Sequence, residues 1–367
     1  MLTDEQRAFA EAIRDFCARE TSERGEAHDS GIYAKLAELG WLGVVVPEAY
    51  GGSGGSATDM VVLLDELAAG NISVNGIGTT FIVAGAYGRY GTEEQKQAML
   101  GGIAGGAVEA IAMSEPGAGS DVGALTCRAD RTGDGYVING QKTWISNAHI
   151  AEHVLLVART SRDGTKHEGL TMLEVPREIA GLEMRPIDTM GGREVNDLYF
   201  TDCELPADAL IGVEGQGWTQ LMAGLNHERL ILAAQALGLA RRAFADQLRF
   251  VKEREQFGRP VGSFQALKHR IADLATEIEC TSLLVYDVAR RVDAEPGAMF
   301  PREASMAKLK ATEVAKRAAL EGMQNMGGYG YATEYDMERH VRSALVTTIF
   351  GGTNEIQRDI IGRTYGL

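Results

Sequence analysis

The chain has 367 residues, enough for two or three domains and a sizeable core. Its formal net charge of −15 argues against nucleic-acid binding, which relies on clustered Lys and Arg. Cys17, Cys127, Cys203 and Cys280 lie far apart, so neither a zinc site nor a disulfide framework is indicated, and we predict no bound metal. A reducing cytoplasm is the expected location.

The amino-terminal part has the periodicity of helices. It opens with a helix-capping pattern, Thr3-Asp4-Glu5-Gln6, in place of the basic flank and apolar core of a signal peptide. Apolar residues recur at helical spacing from Leu2 to about Gly102, with Gly-rich breaks between the segments. We predict an amino-terminal helical domain at residues 1–107. No apolar run of the chain approaches the length of a membrane span, and no membrane partner is expected.

From about Val108 the period of the apolar residues changes from helical to alternating, which predicts a β domain at residues 108–213. Gly133-Asp134-Gly135 predicts a hairpin turn between two of its strands. The candidate strands are Ala110–Ser114, Thr126–Arg131, Gly135–Gly140, Thr143–Ser146, His153–Arg159, Leu170–Val175 and Asp197–Thr201.

The helical period returns in the carboxy-terminal part. Three long apolar stripes, from Trp218 to about Arg254, from Phe264 to Val292 and from Arg302 to Met326, predict a helical bundle at residues 214–367. The pairs Arg241-Arg242 and Arg290-Arg291 are interpreted as solvated faces or intersubunit ion pairs.

The first of these helices carries the candidate reactive group, Glu228. It lies close to an apolar stripe formed by Leu225, Leu232 and Leu239 at helical spacing. A carboxylate at the edge of such a stripe is either paired with a neighbouring cation or held in a pocket with a raised pKa, ready to take a proton. The residues alone leave both possibilities open.

Two motifs of the β domain could hold a flat cofactor. The segment from Met113 to Asp121 follows a predicted strand and joins glycines and hydroxyls in a tight turn, which presents backbone N–H groups. By alternation, Trp144 and Ser146 share one face of a strand, so a ring could stack on the indole and bond the hydroxyl. A core tryptophan beside a surface serine is the alternative.

Five motifs in order span nearly the whole chain: Ser-Glu-Pro-Gly-Ala-Gly-Ser-Asp from Ser114, Asn-Gly-x-Lys-x-Trp-Ile-Ser-Asn from Asn139, Arg-x-x-Phe-Gly from Arg254, Gln-x-x-Gly-Gly-x-Gly from Gln324 and Gly-Gly-Thr-Asn-Glu-Ile from Gly351. In this order the chain resembles the acyl-CoA dehydrogenase family of flavoproteins. The resemblance implies an amino-terminal helical domain, a middle β-barrel and a carboxy-terminal four-helix bundle. It also implies a homotetramer, or a homodimer, that holds FAD between subunits.

The resemblance also assigns roles to residues. It implies that the isoalloxazine is lined by Met113, Ser114, Trp144 and Ser146, with the Ser146 hydroxyl near flavin N5, and that Ser120 faces the pantetheine arm of the substrate. The diphosphate and adenosine of a neighbouring subunit's FAD would be held by Arg254, Gln256, Phe257, Gln324 and Gly328. The adenine end would contact Thr353 and Glu355.

The chain departs from the common family pattern at Gly351, where many members carry the catalytic glutamate. Relatives similar to isovaleryl-CoA dehydrogenase place that glutamate in the bundle helix beside an arginine, as Glu228 and Arg229 stand here. The resemblance thus implies that Glu228 abstracts the α-proton, that the β-hydride passes to flavin N5, and that Arg229 orients the substrate or Glu228. The Gly351 backbone N–H, with a ribityl hydroxyl of FAD, would still polarise the thioester carbonyl.

The expected reaction is FAD-dependent α,β-dehydrogenation of an acyl-CoA, of short or branched chain, with electrons passed to an electron-transfer flavoprotein. One alternative is an acyl or aminoacyl group on a carrier protein, because pocket shape sets the substrate. Flavin monooxygenases of this fold are a second, which the carboxylate of Glu228 disfavours. A DNA-protective flavoprotein is a third; it should carry a basic patch or an added basic domain, which an acidic chain ending at Leu367 is not expected to have.

Overall fold

The computed structural model describes residues 2–20, 28–72 and 76–367, with the backbone alone at residues 225 and 226. The chain divides into two compact units. We name the first the bundle unit (Met1–Glu23, Ala57–Val74 and Asn226–Leu367) and the second the sheet unit (Arg24–Ser56 and Asn75–Leu225).

The elements follow the chain in this order. The helices are α1 (Asp4–Arg19), α2 (Ser30–Glu38), α3 (Ala57–Ala69), α4 (Ile77–Tyr90), α5 (Glu93–Ala104), α6 (Gly217–Glu253), α7 (Gln265–Ala294), α8 (Pro301–Met326), α9 (Gly328–Tyr331), α10 (Met337–Thr347) and α11 (Asn354–Arg363). The strands are β1 (Glu109–Ala112), β2 (Arg128–Arg131), β3 (Gly135–Ser146), β4 (His153–Arg159), β5 (Leu170–Pro176), β6 (Leu182–Thr189), β7 (Gly192–Pro206), β8 (Leu210–Ile211), β9 (Glu255–Gln256) and β10 (Arg259–Pro260). None of the described helices is long and apolar enough to cross a membrane.

In the bundle unit, α8 packs against α7, α10 and α11. Its buried face consists mainly of alanines, including Ala304, Ala307, Ala311 and Ala315, and such small side chains let the neighbouring helices approach closely. The long helices predicted from the apolar stripes are confirmed as α6, α7 and α8. The capping box predicted at the start of the chain is also confirmed: the Thr3 side chain accepts from Gln6 N, and the Gln6 side chain accepts from Thr3 N.

A buried ion network joins four helices of the bundle unit. Helix α3 contributes Asp65 and Glu66, which are 2% and 5% exposed. Arg241 of α6 lies 2.7 Å from Asp65 Oδ1 and 3.3 Å from Glu66 Oε1. Arg14 of α1 lies 2.9 Å from Glu66 Oε1, and the Tyr286 hydroxyl of α7 donates to Asp65 Oδ2. The interpretation of Arg241 as a solvated or intersubunit residue is therefore wrong, because its partners are buried carboxylates of the same chain.

The sheet unit carries one eight-stranded sheet with the strand order β6-β7-β3-β2-β4-β5-β8, and β1 pairs in parallel with β4. Among the described residues, β6 and β8 at the two ends of this path are not paired with each other, so the sheet is not a closed barrel. The predicted β-barrel is therefore not confirmed. The core of the sheet consists of small and aliphatic side chains together with Tyr136 and Phe200.

The predicted hairpin turn is confirmed, because β2 and β3 pair antiparallel and Thr132 N donates to Gly135 O at 2.8 Å. The two strands predicted at residues 135–140 and 143–146 form one strand, β3, with irregular register against β7. Strand β6 was missed because most of its side chains are exposed and its apolar alternation, Leu182 and Met184, is short and is followed by Pro186. Strand β8 has only two residues.

Candidate active site

Glu228 lies on α6 with its side chain half-buried. Burial raises the pKa of its carboxyl, and the neighbouring cations Arg229 and Lys308 act in the opposite direction. Arg229 is itself only 6% exposed, and burial lowers the pKa of its guanidinium. Glu228 thus combines a raised pKa with two cations nearby, Arg229 and Lys308.

Gly351 and Gly352 form the turn between α10 and α11. Their φ angles are +60° and +78°, in the left-handed region that glycine adopts at the least cost. A Cβ added to Gly351 would overlap Leu232 Cδ1 and would lie 3.6 Å from Glu228 Oε1. The structure therefore brings together the two positions at which a catalytic glutamate was considered.

Two buried side chains hold this turn from neighbouring helices. Lys308 of α8 donates from Nζ to Gly352 O at 3.0 Å and to Asn354 Oδ1 at 3.1 Å. Gln357 of α11 donates from Nε2 to Gly351 O at 3.1 Å and to Gly352 O at 3.0 Å. The turn is thus fixed by side-chain hydrogen bonds as well as by its own backbone.

In the sheet unit, the segment with Met113 and Ser114 is fastened to β3. Thr143 N donates to Ser114 O at 2.9 Å, and Lys142 Nζ donates to Met113 O at 2.9 Å. Lys142 also forms a buried ion pair with Glu115, with 2.8 Å between Nζ and Oε1. Two of the predicted cofactor-binding segments are therefore neighbours in space.

Trp144 lies where β3 departs from regular geometry. Its φ is +61°, and the register of β3 against β7 shifts between Lys142 and Ile145. The indole is 61% exposed, whereas the Ile145 side chain is buried and Ser146 is half-buried. Trp144 is therefore not a core residue, and the alternative of a core tryptophan is wrong.

Ser120 lies beyond a tight turn in which Glu115 and Ala118 exchange two backbone hydrogen bonds of 3.0 Å. Its side chain is exposed. The following residue, Asp121, forms a surface ion pair with Lys166. Ser120 is thus accessible at the surface of the sheet unit.

Arg254 lies just after α6, and its guanidinium is over the ring of Tyr329, 5.3 Å from the centroid. Tyr329 follows Gly328 in α9, so this contact brings two of the predicted diphosphate-binding segments together. Phe257, between β9 and β10, has a φ of +54° and is 92% exposed. Exposed positions are also occupied by Gln256, Gln324 and Gly328.

Thr353 caps the amino-terminal end of α11, where its hydroxyl accepts from Ile356 N at 3.3 Å. With Glu355 it lines a cleft of about 320 Å³ in the bundle unit. The other lining residues include the cations Lys316 and Arg358. The predicted adenine-binding residues thus share one concave site.

The whole chain is similar to known proteins. It is 37% identical to the probable acyl-CoA dehydrogenase YngJ of Bacillus subtilis (strain 168), over 99% of this chain and 98% of that relative. The chain belongs to the acyl-CoA dehydrogenase family. The models of the amino-terminal, middle and carboxy-terminal domains of acyl-CoA dehydrogenase match residues 3–107, 110–203 and 215–366.

Two further relatives extend this finding. The mitochondrial isovaleryl-CoA dehydrogenase of Solanum tuberosum is 34% identical over 99% of this chain and 91% of the relative. The crystal structure of acyl-CoA dehydrogenase from Geobacillus kaustophilus superposes with a TM-score of 0.94 at 37% identity, covering 100% of this chain and 99% of that one. The predicted three-domain acyl-CoA dehydrogenase fold, with helical amino-terminal and carboxy-terminal domains, is therefore confirmed.

As an acyl-CoA dehydrogenase, the protein is an oxidoreductase that acts on CH–CH bonds, and its cofactor is FAD. The described residues fit this cofactor. Trp144 offers an exposed flat surface, on which an isoalloxazine can stack. Arg254 offers an exposed guanidinium, whose fork matches the oxygens of a diphosphate.

Three residues at the Gly351 turn of this acyl-CoA dehydrogenase, Lys308, Asn354 and Gln357, were not predicted as site residues from the sequence. One signal was available for Lys308: a lysine stands within a buried face of α8 that is rich in alanine and carries no other charged residue. Asn354 and Gln357 give no such signal, because polar residues are ordinary at the start of a helix. The side chains of Leu225 and Asn226, which the sequence placed beside Glu228, lie outside the described residues.

Proposed function

We propose that the chain catalyses the α,β-dehydrogenation of a short-chain or branched acyl-CoA thioester to the trans-2-enoyl-CoA, with Glu228 as the catalytic base. The observation that carries this proposal is the convergence of Glu228 on the Gly351 turn, where a Cβ would lie 3.6 Å from Glu228 Oε1. Gly351, where many family members carry the catalytic glutamate, and Glu228, the proposed base of this chain, thus lie at one site. The similarity to isovaleryl-CoA dehydrogenase supports the branched substrate.

Glu228 has the environment that a general base requires. The α-proton of a thioester is weakly acidic, so a carboxylate removes it more readily when its own pKa is raised. Burial raises the pKa of Glu228. Leu232, buried one helical turn further along α6 and next to the Gly351 turn, provides an apolar neighbour for the carboxylate. Arg229, buried beside Glu228, orients the carboxylate or the substrate.

Gly351 contributes its backbone N–H. Removal of the α-proton leaves negative charge on the thioester oxygen, and a fixed N–H that donates to this oxygen stabilises the charge. Glycine has no side chain at this position, so the thioester carbonyl can approach the amide closely. Ser120 contacts the pantetheine arm.

When bound, FAD supplies the acceptor for the β-hydrogen and its two electrons. The isoalloxazine would be lined by Met113, Ser114, Trp144 and Ser146. The remainder of the cofactor would be held by Arg254, Gln256, Phe257, Gln324, Gly328, Thr353 and Glu355. We propose an electron-transfer flavoprotein as the electron acceptor and a homotetramer as the assembly, both supported by the family resemblance.

The domain boundaries that we propose are residues 1–107, 108–213 and 214–367. They are supported by the three family models, whose matches fall within these ranges. The cytoplasmic location inferred from the scattered cysteines stays a prediction.

Replacing Glu228 with Gln tests its role as the base. The variant keeps the shape of the side chain and removes its basicity, so we expect flavin reduction by the acyl-CoA to slow by about a thousandfold, the range of general-base catalysis. Its FAD content should be unchanged. Glu253→Gln, at an exposed position of the same helix, is the matched control and should reduce at the normal rate. Unchanged single-turnover reduction in Glu228→Gln contradicts the assignment.

The substrate class is tested by an anaerobic titration of the purified protein with straight, branched and aromatic acyl-CoA thioesters, followed by the bleaching of flavin absorbance. We expect bleaching by short branched thioesters. If no acyl-CoA bleaches a flavin that dithionite reduces, the CoA substrate is wrong, and acyl groups on a carrier protein become the next substrates to test.

A further inference from the structure

Lys308 is a charged side chain in a place where charge is costly. It is 0% exposed and lies in the alanine-rich face of α8. A buried ammonium persists only where hydrogen-bond acceptors compensate for its lost hydration. The two acceptors of Lys308 Nζ are Gly352 O and Asn354 Oδ1, at 3.0 and 3.1 Å. Gly352 belongs to the turn, and Asn354 is the first residue of α11.

Gln357 meets the same turn from α11. It is also 0% exposed, and its Nε2 donates to Gly351 O and Gly352 O. Because Gly352 O accepts from both Lys308 and Gln357, the two side chains act on one peptide group from two different helices. We call this pair of side chains the turn clamp.

A turn of two glycines needs such a clamp. Gly351 and Gly352 have no Cβ to restrict their dihedral angles, so several backbone conformations of similar energy are open to them. On the amino-terminal side the chain is anchored where Phe350 N donates to Val346 O at the end of α10. On the carboxy-terminal side the anchors are Lys308 and Gln357. The Gly351 N–H lies between these two anchored points.

We infer that Lys308 and Gln357 are positioning residues of the reaction: by clamping the carbonyls of Gly351 and Gly352, they aim the Gly351 N–H at the thioester carbonyl. This inference rests on the proposed function, in which that N–H stabilises the oxyanion. Neither side chain needs to touch the substrate.

The charge of Lys308 gives the clamp a second effect, which distinguishes it from Gln357. The charged groups that face Lys308 are Glu228 and Arg229 on α6 and Glu355 on α11. Burial lowers the pKa of Lys308 to about 8, against the raising effect of the two glutamates. Lys308 in turn lowers the pKa of Glu228. Removing the lysine charge should therefore raise the pKa of Glu228 further, whereas removing the neutral Gln357 should not.

The test compares Lys308→Met and Gln357→Met with Lys310→Met as the control. Lys310 lies on the same helix, is 37% exposed and pairs with Glu277 away from the turn. We expect each clamp variant to lower the rate of flavin reduction at saturating isovaleryl-CoA by about 10- to 100-fold, the cost of misplacing a catalytic group by about an ångström. KM and FAD content should change little, and the control should behave as the parent.

Two further readouts separate positioning from a loss of structure. The carbonyl stretch of bound 3-methylcrotonyl-CoA, recorded by Raman difference spectroscopy, should shift less from its value in water in both clamp variants than in the parent, because a misdirected N–H polarises the carbonyl less. The acid limb of the pH profile of kcat should move to higher pH in Lys308→Met and should stay in place in Gln357→Met.

Parental reduction rates and parental carbonyl frequencies in the clamp variants would overturn the inference. If Lys308→Met does not fold, Gln357→Met decides by the same two measurements. A parent protein that no acyl-CoA reduces is a different result, because it contradicts the proposed function itself. If an acyl-CoA reduces the flavin of the parent and of the clamp variants equally fast, only the role of the clamp is contradicted.

Discussion

Gly351 faces Glu228: a Cβ on the glycine would lie 3.6 Å from Glu228 Oε1, and it would overlap Leu232 Cδ1. Two carboxylates at this spacing could not both ionise readily, because like charges at close range raise the pKa of one of them. The two base positions therefore exclude each other, and Leu232 occupies the space that a side chain at position 351 would need.

This relationship predicts how the base could be relocated. In a Glu228→Gln background, Gly351→Glu should restore little activity, because Leu232 blocks the new side chain and a φ of +60° costs a residue with a Cβ about 1 kcal/mol or more. Adding Leu232→Ala opens the space. We expect this triple variant to reduce its flavin about tenfold or more faster than the double variant, a modest part of what a placed general base provides.

The control for the relocation is Glu228→Gln with Leu232→Ala, which lacks any base at position 351. Flavin reduction is measured with acyl-CoA thioesters of several chain lengths, since a relocated base changes which substrates fit. If the triple variant is no faster than this control with any of them, the two base positions are not interchangeable in this chain.

The raised pKa of Glu228 predicts a pH dependence of stability. Burial raises the pKa of Glu228 in the folded chain above its unfolded value, so the folded state binds the proton more tightly. The contribution of Glu228 to the free energy of unfolding is therefore full below the unfolded pKa and is lost as the pH rises through the folded pKa. Glu228→Gln does not ionise and avoids this loss.

We accordingly expect the melting temperature of Glu228→Gln to rise relative to the parent as the pH is increased from about 5 to about 8. Differential scanning calorimetry of both proteins at several pH values measures this difference. Glu253→Gln, at an exposed position of the same helix, is the control, and its melting temperature should differ from that of the parent by the same amount at every pH. A Glu228→Gln difference that stays constant or shrinks with pH would show that burial does not raise the pKa.

The exposure of Trp144 predicts that replacing it lowers the affinity for FAD without lowering the stability of the protein. Because 61% of its surface is exposed, Trp144→Ala should change the free energy of unfolding of the apoprotein by no more than about 0.5 kcal/mol. An aromatic stacking contact contributes about 0.5–1.5 kcal/mol beyond the area it buries, so FAD should bind roughly tenfold more weakly to the variant. Trp144→Phe should retain most of the affinity.

The matched control is Met190→Ala, a large side chain of the sheet unit that is also 61% exposed. Reconstitution of the apoprotein with FAD, followed by the change in flavin fluorescence, gives the dissociation constants. Equal affinity of Trp144→Ala and the parent for FAD would remove Trp144 from the cofactor site.

The parts of the fold that could be predicted are those in which one segment carries its own signal. Helices α6, α7 and α8 each repeat an apolar stripe over many turns, and β4 is a continuous apolar run, so local periodicity defines them. Strand β6 has no such signal, because its side chains are mostly exposed and it owes its place to pairing with β7. Local sequence does not encode a partner strand.

The site residues also differ in whether their signal is local in the sequence. Glu228 could be proposed from its apolar surroundings and from a family resemblance, both of which are readable along the chain. A lysine on an alanine-rich face signals that Lys308 is unusual, but its role could not be predicted, because it depends on Gly352, which lies 44 residues further on. Arg241 was wrongly interpreted as solvated or intersubunit for the same reason: its partner Glu66 precedes it by 175 residues. When the partners of a charged residue lie far away along the chain, the local sequence does not show that the residue is paired.

Arg241 provides a test of the buried ion network. Arg241→Met leaves Asp65, which is 2% exposed, without its guanidinium partner, and burial already raises the pKa of that carboxyl. Removing one partner of a buried ion pair lowers the free energy of unfolding more than replacing both partners with apolar residues does, because an uncompensated charge remains. We expect the free energy of unfolding to fall by about 3 kcal/mol.

Arg290→Met is the control, because Arg290 lies 3.6 Å from Asp287 in a pair whose side chains are 41% and 44% exposed. Such a pair contributes less than about 1 kcal/mol, since water screens it. Urea unfolding of the apoproteins gives both values. Replacing Asp65 with Asn in the Arg241→Met background removes the orphaned charge and should recover part of the loss. Equal destabilisation by Arg241→Met and Arg290→Met would mean that the network does not stabilise the bundle unit.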